Sequence, residues 1–377
     1  MSEHRIETVE AIPLEAPVEE PFGYAQAWVD TRKATLVRIE TADGTVGWGE
    51  CWGPTAGTLG TIEELLAPEL IGEDPTRVEA LSDRLYERTR AAYQSVVPLP
   101  ALSGVDIALW DLKGRLLDTP VTALLGGARR DRVRAYATGH YFKQGASLEE
   151  QYERIAAEAS ENADAIGALK AKIGLGLLGY GAEEDIELVA RIREAVGDAT
   201  LMVDANYAYD PATAREVGRA LEEFDVHWFE EPVRPELLGA YADLRETLDV
   251  RIAGGECHTP QEFTRALDVG GFDVAQPDLC NVGGLTAARR ITAECRAAGV
   301  PVVPHVWGTP IALAASLSLI ATLPGEPWLE FDRSANPLRE ELSPDPFVAD
   351  DSGRVPIPSG AGLGIELDEE AIERYRR

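Results

Sequence analysis

The second half of the chain alternates short apolar runs with helical stretches, and most of the apolar runs end in a charged or polar side chain. The candidate strands are Val133–Ala137, Ala168–Ile173, Leu201–Val203, His227–Phe229, Arg251–Ala253, Val274–Gln276, Pro301–Val303 and Trp328–Leu329. Short apolar runs without period-two alternation suit strands buried on both faces. The stretches between them carry helix signals. Asp210-Pro211 and Thr259-Pro260 each place a capping oxygen before a proline at the first helical position. Ile186, Val189, Ile192 and Val196 recur at helical spacing, and the pattern Thr286–Ala298 stops at Gly299. Eight such units predict an α/β barrel of the (β/α)8 type, whose catalytic groups lie at the C-terminal ends of the strands.

The chain ahead of Gly127 has a different texture. Lys33–Glu40 reads as a strand, Asp43-Gly44 as a tight hairpin turn, and Thr45–Glu50 as the returning strand. Thr61–Leu70, Pro75–Thr89 and Ser103–Leu117 read as helices, the last opened by Ser103 and Asp106 in capping-box spacing. Strands followed by helices predict an α+β unit over 1–127, with Leu124-Leu-Gly-Gly127 as its boundary. The barrel then occupies 128–342. The Pro-, Gly- and Asp-rich tail, 343–377, has a strand at Arg354–Ile357 and a helix at Glu369–Arg376, and is expected to pack back on the N-terminal unit.

Composition narrows the function classes. The chain has 377 residues, 45% of them hydrophobic, enough for a large core. Its formal net charge is −30, from 65 acidic against 35 basic residues, which reads as a strongly hydrated surface suited to high salt. No basic patch is present to neutralise phosphates, so nucleic acid is disfavoured as a partner. No 18-residue apolar run marks a membrane span, and Met1–Ile6 lacks the pattern of a signal peptide, so a cytoplasmic location is expected. The four cysteines form no CxxC pair and read as reduced, packed thiols.

The chemistry lies at the strand ends. Asp204, Glu230 and Glu256 end three successive strands at a spacing of 26 residues each (230 − 204 and 256 − 230). Three carboxylates cannot share one small site without a cation, and an all-oxygen set favours a hard divalent ion, Mg²⁺ before Mn²⁺ or Ca²⁺. Lys170 and Lys172, two of only five lysines, lie at i and i+2 of one strand and so face one side. Each ammonium is expected to lower the pKa of the other toward that of a general base. Asp278 and His305 end the sixth and seventh strands, where the carboxylate can accept the imidazole N–H and support a second acid/base group. Glu330 ends the eighth, positioned to hydrogen-bond a substrate carboxylate if protonated. Asn206, Trp307, Tyr141 and Tyr24 are weaker candidates for substrate contact; for Asn206 and Glu231, fixing a loop or supporting the site from behind stays as open as direct contact. A hard ion with a base on each side suits removal of the proton next to a carboxylate, whose enediolate needs concentrated positive charge.

Lys170-Ala-Lys172, Asp204, Phe229-Glu230-Glu231-Pro232, Gly255-Glu256, the Asp278/His305 pair and Glu330 resemble the mandelate racemase subgroup of the enolase superfamily. The likeness includes Ala108-Leu-Trp-Asp-Leu-Lys113-Gly in the N-terminal unit and spans nearly the whole chain. It implies a modified barrel of (β/α)7β type with an α+β capping domain completed by the C-terminal tail. It also implies Asp204, Glu230 and Glu256 as ligands of one Mg²⁺ per subunit, with Mn²⁺ as a substitute. Lys172 would be one base, His305–Asp278 the other, and Glu330 an electrophilic hydrogen-bond donor. A homo-oligomer, from dimer to octamer, is expected. A narrower likeness, to galactarolactone cycloisomerases, rests on Gly47-Trp-Gly-Glu-Cys51, Val133–Gly139, Gln276-Pro-Asp-Leu-Cys280, Val303–Gly308 and Glu330-Phe-Asp-Arg333. The departures are the loops Pro21–Asp30 and Gly174–Gly181, where specificity usually resides.

The expected reaction is therefore cycloisomerisation of an aldaric acid lactone. Dehydration of a sugar acid and racemisation or epimerisation of a carboxylic acid begin with the same proton removal and stay open. Two readings come from other classes. Gly174-Leu-Gly176-Leu-Leu-Gly179 matches the dinucleotide fingerprint G-x-G-x-x-G, which requires a helix starting inside the motif. A non-catalytic sugar-acid binder would keep the carboxylates but need neither Lys172 nor His305.

Overall fold

The computed structural model describes residues 4–53, 55–94 and 97–377. Met1–Glu3, part of the expectation about a signal peptide, lie outside the described residues. Two β-systems organise the chain. The first is an antiparallel sheet of β1 (Ile6–Tyr24), β2 (Ala27–Thr41) and β3 (Val46–Cys51), to whose tip the short β5 (Phe142–Lys143) is added. The second is a parallel sheet of β4 (Arg132–Thr138), β6 (Ala168–Lys172), β7 (Thr200–Asp204), β8 (Val226–Glu230), β9 (Arg251–Gly254), β10 (Val274–Ala275) and β11 (Trp328–Asp332).

The parallel sheet runs β10-β9-β8-β7-β6-β4-β11 and curls on itself. The inward residues Tyr136, Ala168, Met202, Trp228, Ala253, Val274, Val303 and Trp328, one from each of the eight expected segments, form a single buried cluster. That cluster is what closes the barrel: its apolar side chains leave no room for a channel. The seventh segment is the exception to the expected pattern. Pro301–Val303 forms only a bridge, Val302 to Ala275, because Pro301 has no N–H to give and the segment turns away at once through Pro304.

Helices cover the outside of the barrel. Leu148–Ile166 opens with a capping box at Ser147 and Glu150 and ends on Gly167 at φ 80°. Pro211–Glu222 and Pro260–Val269 start on Asp210 and Thr259, as their sequence signals indicate. The N-terminal unit departs more from its reading. β1, 19 residues long, escapes detection because Pro13, Pro17 and Pro21 interrupt it, yet its edges still pair with β2 along most of their length. The expected helix Thr61–Leu70 is the later part of a longer composite: Thr55–Thr61, a π-helical turn Ile62–Leu66 and Ala67–Leu70. Val78–Tyr93 starts three residues later than expected. Ser103 does not cap a helix. The helix runs Leu99–Leu116, Ser103 donates to the Leu99 carbonyl inside it, and Asp106 is buried against Ser82 and the Thr286 N–H.

The tail does two things rather than one. β12 (Arg354–Pro356) pairs antiparallel with β4 of the barrel, whereas the chain around it returns to the N-terminal unit. There the Leu363 N–H donates to Asp111, Gly362 bridges Pro120, and Arg376 bridges Leu14. Among the described residues, no helix is long and apolar enough to cross a membrane.

Candidate active site

The barrel register brings the polar strand ends to one level. Lys172 on β6 stands opposite Asp204 on β7, and Asp204 opposite Glu230 on β8. Glu256 follows β9 after Gly255, whose φ of +118° turns the chain over the rim. Ligand oxygens of Asp204, Glu230 and Glu256 lie within 4.8 Å of one another, and all three side chains are buried or nearly so.

Lys170 Nζ sits among them, bonded to Glu230 Oε1, 2.8 Å from Glu330 Oε1 and 3.8 Å from Asp204 Oδ2. Lys172 Nζ is 2.5 Å from Asp204 Oδ2, and Asp204 Oδ1 accepts the Asn206 N–H at 2.8 Å. Glu230 Oε2 accepts from Trp228 Nε1 at 3.0 Å and Gln276 Nε2 at 2.6 Å. Across the mouth, His305 Nδ1 is 2.6 Å from Asp278 Oδ2 and its Nε2 is 3.2 Å from Glu256 Oε2. Lys172 and His305 therefore flank the carboxylate cluster from two sides.

The electrostatics correct two expectations. Burial and Lys170 do push the Lys172 ammonium down, but Asp204 in direct contact outweighs both and holds its pKa above the ordinary lysine value, not below it. Burial raises Glu330, but Lys170 and His305 more than offset it, so its carboxyl lies below the usual range and is ionised rather than protonated. Burial lowers His305, whereas Glu256, Glu330 and the Asp278 bond raise it to about 10, the protonated form that the Asp278 pairing was expected to support. Glu231 is buried with both oxygens unpartnered. Burial and then Glu256 push its pKa well up.

The residues fit a hard divalent ion. Three buried carboxylates converge as an all-oxygen ligand set, and the ammonium groups of Lys170 and Lys172 beside them carry compensating charge. A divalent ion held by Asp204, Glu230 and Glu256 would supply positive charge next to a bound carboxylate.

The weaker candidates also reach the mouth. The rings of Tyr24, at the end of β1, and of Tyr141, just past β4, each lie 6.0 Å from Lys172 Nζ. Trp307 stacks under Arg32 at 4.4 Å and borders, with Tyr24, Trp28, Lys33, Trp52 and His305, a cavity of about 330 Å³. Asn206 is held through its backbone: its carbonyl accepts Gln26 Nε2 at 2.7 Å, and its Oδ1 is buried without a partner. Sequence reasoning missed Gln276, Trp52 (edge-on to His305 at 5.3 Å) and Arg32, whose guanidinium is buried between Trp307, Phe22 and Asp332. A polar residue closing a buried strand was a usable signal for Gln276. Nothing local marks Arg32, whose hydrogen-bond partners lie some 300 residues away.

The glycine motif at 174–179 is no phosphate cradle. Leu175–Leu178 is a 3₁₀ turn, and the helix starts only at Ala182, outside the motif. Asp185 takes the Gly174 and Leu175 N–H groups that a phosphate would need.

Residues 7–126 match the family model for the mandelate racemase / muconate lactonizing enzyme N-terminal domain, and residues 154–371 match the enolase C-terminal domain-like model. The chain belongs to the mandelate racemase / muconate lactonizing enzyme family of the enolase superfamily. It is 40% identical to the D-galactarolactone cycloisomerase of Agrobacterium fabrum, over 99% of each chain. The 3,6-anhydro-D-galactonate cycloisomerase of Zobellia galactanivorans has a similar structure, with a TM-score of 0.88, 37% identity and 99% of each chain covered. So does a mutant L-talarate/galactarate dehydratase liganded with Mg and L-glucarate, with a TM-score of 0.85, 29% identity, and 100% and 93% coverage. This family member is accordingly an enzyme of the isomerase or lyase type, with an enolase-superfamily barrel.

Proposed function

We propose that the protein is a Mg²⁺-dependent cycloisomerase that removes the proton next to the carboxylate of a sugar-acid lactone, such as an aldaric acid lactone. The observation that carries this reading is the pair of proton-moving groups, Lys172 and His305, set on either side of the Asp204–Glu230–Glu256 cluster. Mg²⁺ bound there, with Mn²⁺ as a substitute, would stabilise negative charge as it develops on the substrate carboxylate. Lys170, fixed by Glu230 and Glu330, presents its ammonium to the same oxygens. To act as a base, Lys172 must release Asp204 and lose its proton. Neutralising Asp204 removes the contact that now raises its pKa. His305, held by Asp278, then donates a proton or takes one on the opposite face. The aromatic lining of Trp28, Trp52 and Trp307 suits the less polar face of a cyclic sugar acid.

The likeness to the Agrobacterium cycloisomerase supports cycloisomerisation, and that to the talarate/galactarate dehydratase keeps dehydration as the second reading. The test is a screen of aldarates, aldonates and their lactones with Mg²⁺, in high salt because of the net charge of −30. If the enediolate expels the lactone's ring oxygen from the β-carbon, the enol becomes a 2-keto acid of the same mass as the lactone, which supports cycloisomerisation. Loss of a β-hydroxyl as water from an open acid, giving a 2-keto acid about 18 Da lighter, selects the dehydratase. Glu230→Gln should abolish metal-dependent turnover, and full activity in that variant would sink the ligand assignment. Exchange of the α-proton with D₂O should persist in one of Lys172→Ala and His305→Asn and vanish in the double variant.

A further inference from the structure

Glu231 is the group that the proposed reaction leaves unexplained. It is 1% exposed, its φ of 43° is in the left-handed region, and neither carboxylate oxygen has a hydrogen-bond partner. A buried carboxylate with no donor and no counter-ion is costly unless something neutralises it. The lysines do not: Lys170 is engaged by Glu230 and Glu330, and Lys172 by Asp204.

The same carboxylate faces a sulfur. Oxygens of Glu231 and Glu256 and the Sγ of Cys257 lie within 4.8 Å of one another. Cys257 is the exposed one of the four cysteines, the other three being buried. The Tyr207 hydroxyl, 3.6 Å from Sγ, can donate to it as a thiolate. The cluster thus combines a buried unpartnered carboxylate, a second carboxylate and a solvent-reachable thiol.

We propose that Glu231, Glu256 and Cys257 form a second cation site, selective for a borderline or soft divalent ion such as Zn²⁺, which shares the Glu256 carboxylate with the hard-ion site. Sulfur among the donors sets this preference, since thiolate binds Zn²⁺ and Cd²⁺ far better than Mg²⁺. On binding, the Cys257 thiol releases its proton to solvent and its sulfur bonds the ion, with no change of oxidation state. Closing on an ion draws the donors together, since ligands at about 2.0–2.3 Å from Zn²⁺ stand roughly 3.5 Å apart. Glu256 is then shared between the two ions, so the soft ion alters turnover while Mg²⁺ stays bound at its own site. The inference rests on the hard-ion reading only through the shared Glu256.

The test uses Cd²⁺ as probe, added to the full-length protein with saturating Mg²⁺. Readouts are the thiolate-to-metal absorption in the ultraviolet and metal content after dialysis. The wild type should bind one Cd²⁺ per chain while retaining Mg²⁺. Cys257→Ser should lose the absorption, and Glu231→Gln should keep it but weaken Cd²⁺ by at least about tenfold. Glu231→Asp, which preserves the charge, should recover most of the affinity and serves if the Gln variant fails to fold. Equal Cd²⁺ affinity in wild type and both Glu231 variants would overturn the proposal, leaving a lone reactive thiol. Release of one Mg²⁺ for each Cd²⁺ bound would also overturn it, by showing a single site. Failure of the hard-ion reading shows separately, as absence of Mn²⁺ binding in untreated protein.

Discussion

Glu50 offers a quantitative test of how the N-terminal unit is fastened to the barrel. It ends the β-hairpin of the first sheet, yet its carboxylate caps the helix Pro310–Ile320. It accepts the Thr309 N–H at 3.1 Å, the Thr309 hydroxyl at 2.7 Å and the Ala312 N–H at 3.0 Å. Burial raises its pKa, the Thr309 and Ala312 bonds oppose that, and the result is about 7, against 4.5 for an ordinary glutamate. The folded state therefore binds a proton that the unfolded state has lost between those two values. Its contribution is full below the unfolded pKa and is lost as pH rises through the folded one. At about 1.36 kcal/mol per pKa unit, the whole span is worth about 3 kcal/mol, of which about 2 kcal/mol falls between about pH 5.5 and pH 8. Glu50→Gln cannot titrate. Urea unfolding of both proteins at the two pH values, at one ionic strength, should show wild-type stability falling by about 2 kcal/mol more than the variant's. The variant should also be weaker at pH 8 by about 1–3 kcal/mol, because its amide turns a donor toward buried N–H groups. Equal pH dependence in the two proteins would refute the reasoning.

Two further changes probe close packing. Gly284→Ala should cost about 3 kcal/mol or more, read as a fall in Tm. The residue has φ +78°, and a Cβ would sit 2.4 Å from Asp106 Oδ2, which Thr286 holds in place. An unchanged Tm would contradict the fixed position of Asp106. Asp185→Ala strands the Gly174 and Leu175 N–H groups and the Tyr209 hydroxyl, so stability should drop by about 3 kcal/mol. KM should rise more than kcat falls, because the loosened loop borders the mouth without touching the reacting groups. A loss confined to kcat would place Asp185 in the chemistry instead.

The barrel was legible because its signals are local. Each strand from Val133 to Val274 is a short apolar run, and each acid or lysine that matters stands at the end of one, so periodicity and position sufficed. The N-terminal unit was not legible in the same way. β1 reads as loop because of its prolines, and only pairing with β2 and β5, which no single stretch encodes, makes it a strand. The helix Leu99–Leu116 is buried on nearly all sides, so its polar Ser103 and Asp106 mimicked a start signal while serving contacts with Ser82, Gly283 and Thr286. At the site, the convergence of Asp204, Glu230, Glu256, Lys172 and His305 was readable but their charge states were not. The pKa of Lys172 depends on a 2.5 Å contact with Asp204, and that of Glu330 on Lys170 and His305 from other strands. Distances of that kind appear only when the barrel is closed.

The tip of the β1–β2 hairpin has a wider consequence. Tyr24 and Trp28 reach the mouth from a ribbon that the barrel core does not need, latched by one bond from Gln26 to the Asn206 carbonyl and by Ala25 lying over Gly174. In the proposed reaction the groups that move protons, Lys172 and His305, both stand on the barrel. On that proposal, ligand choice and bond-making are carried on separate pieces of chain that meet at an edge. Lengthening, shortening or grafting the turn around Ala25 and Gln26 should therefore retarget the enzyme among sugar acids while the proton-transfer apparatus stays intact. The molecule has the layout of a tool with an exchangeable jaw.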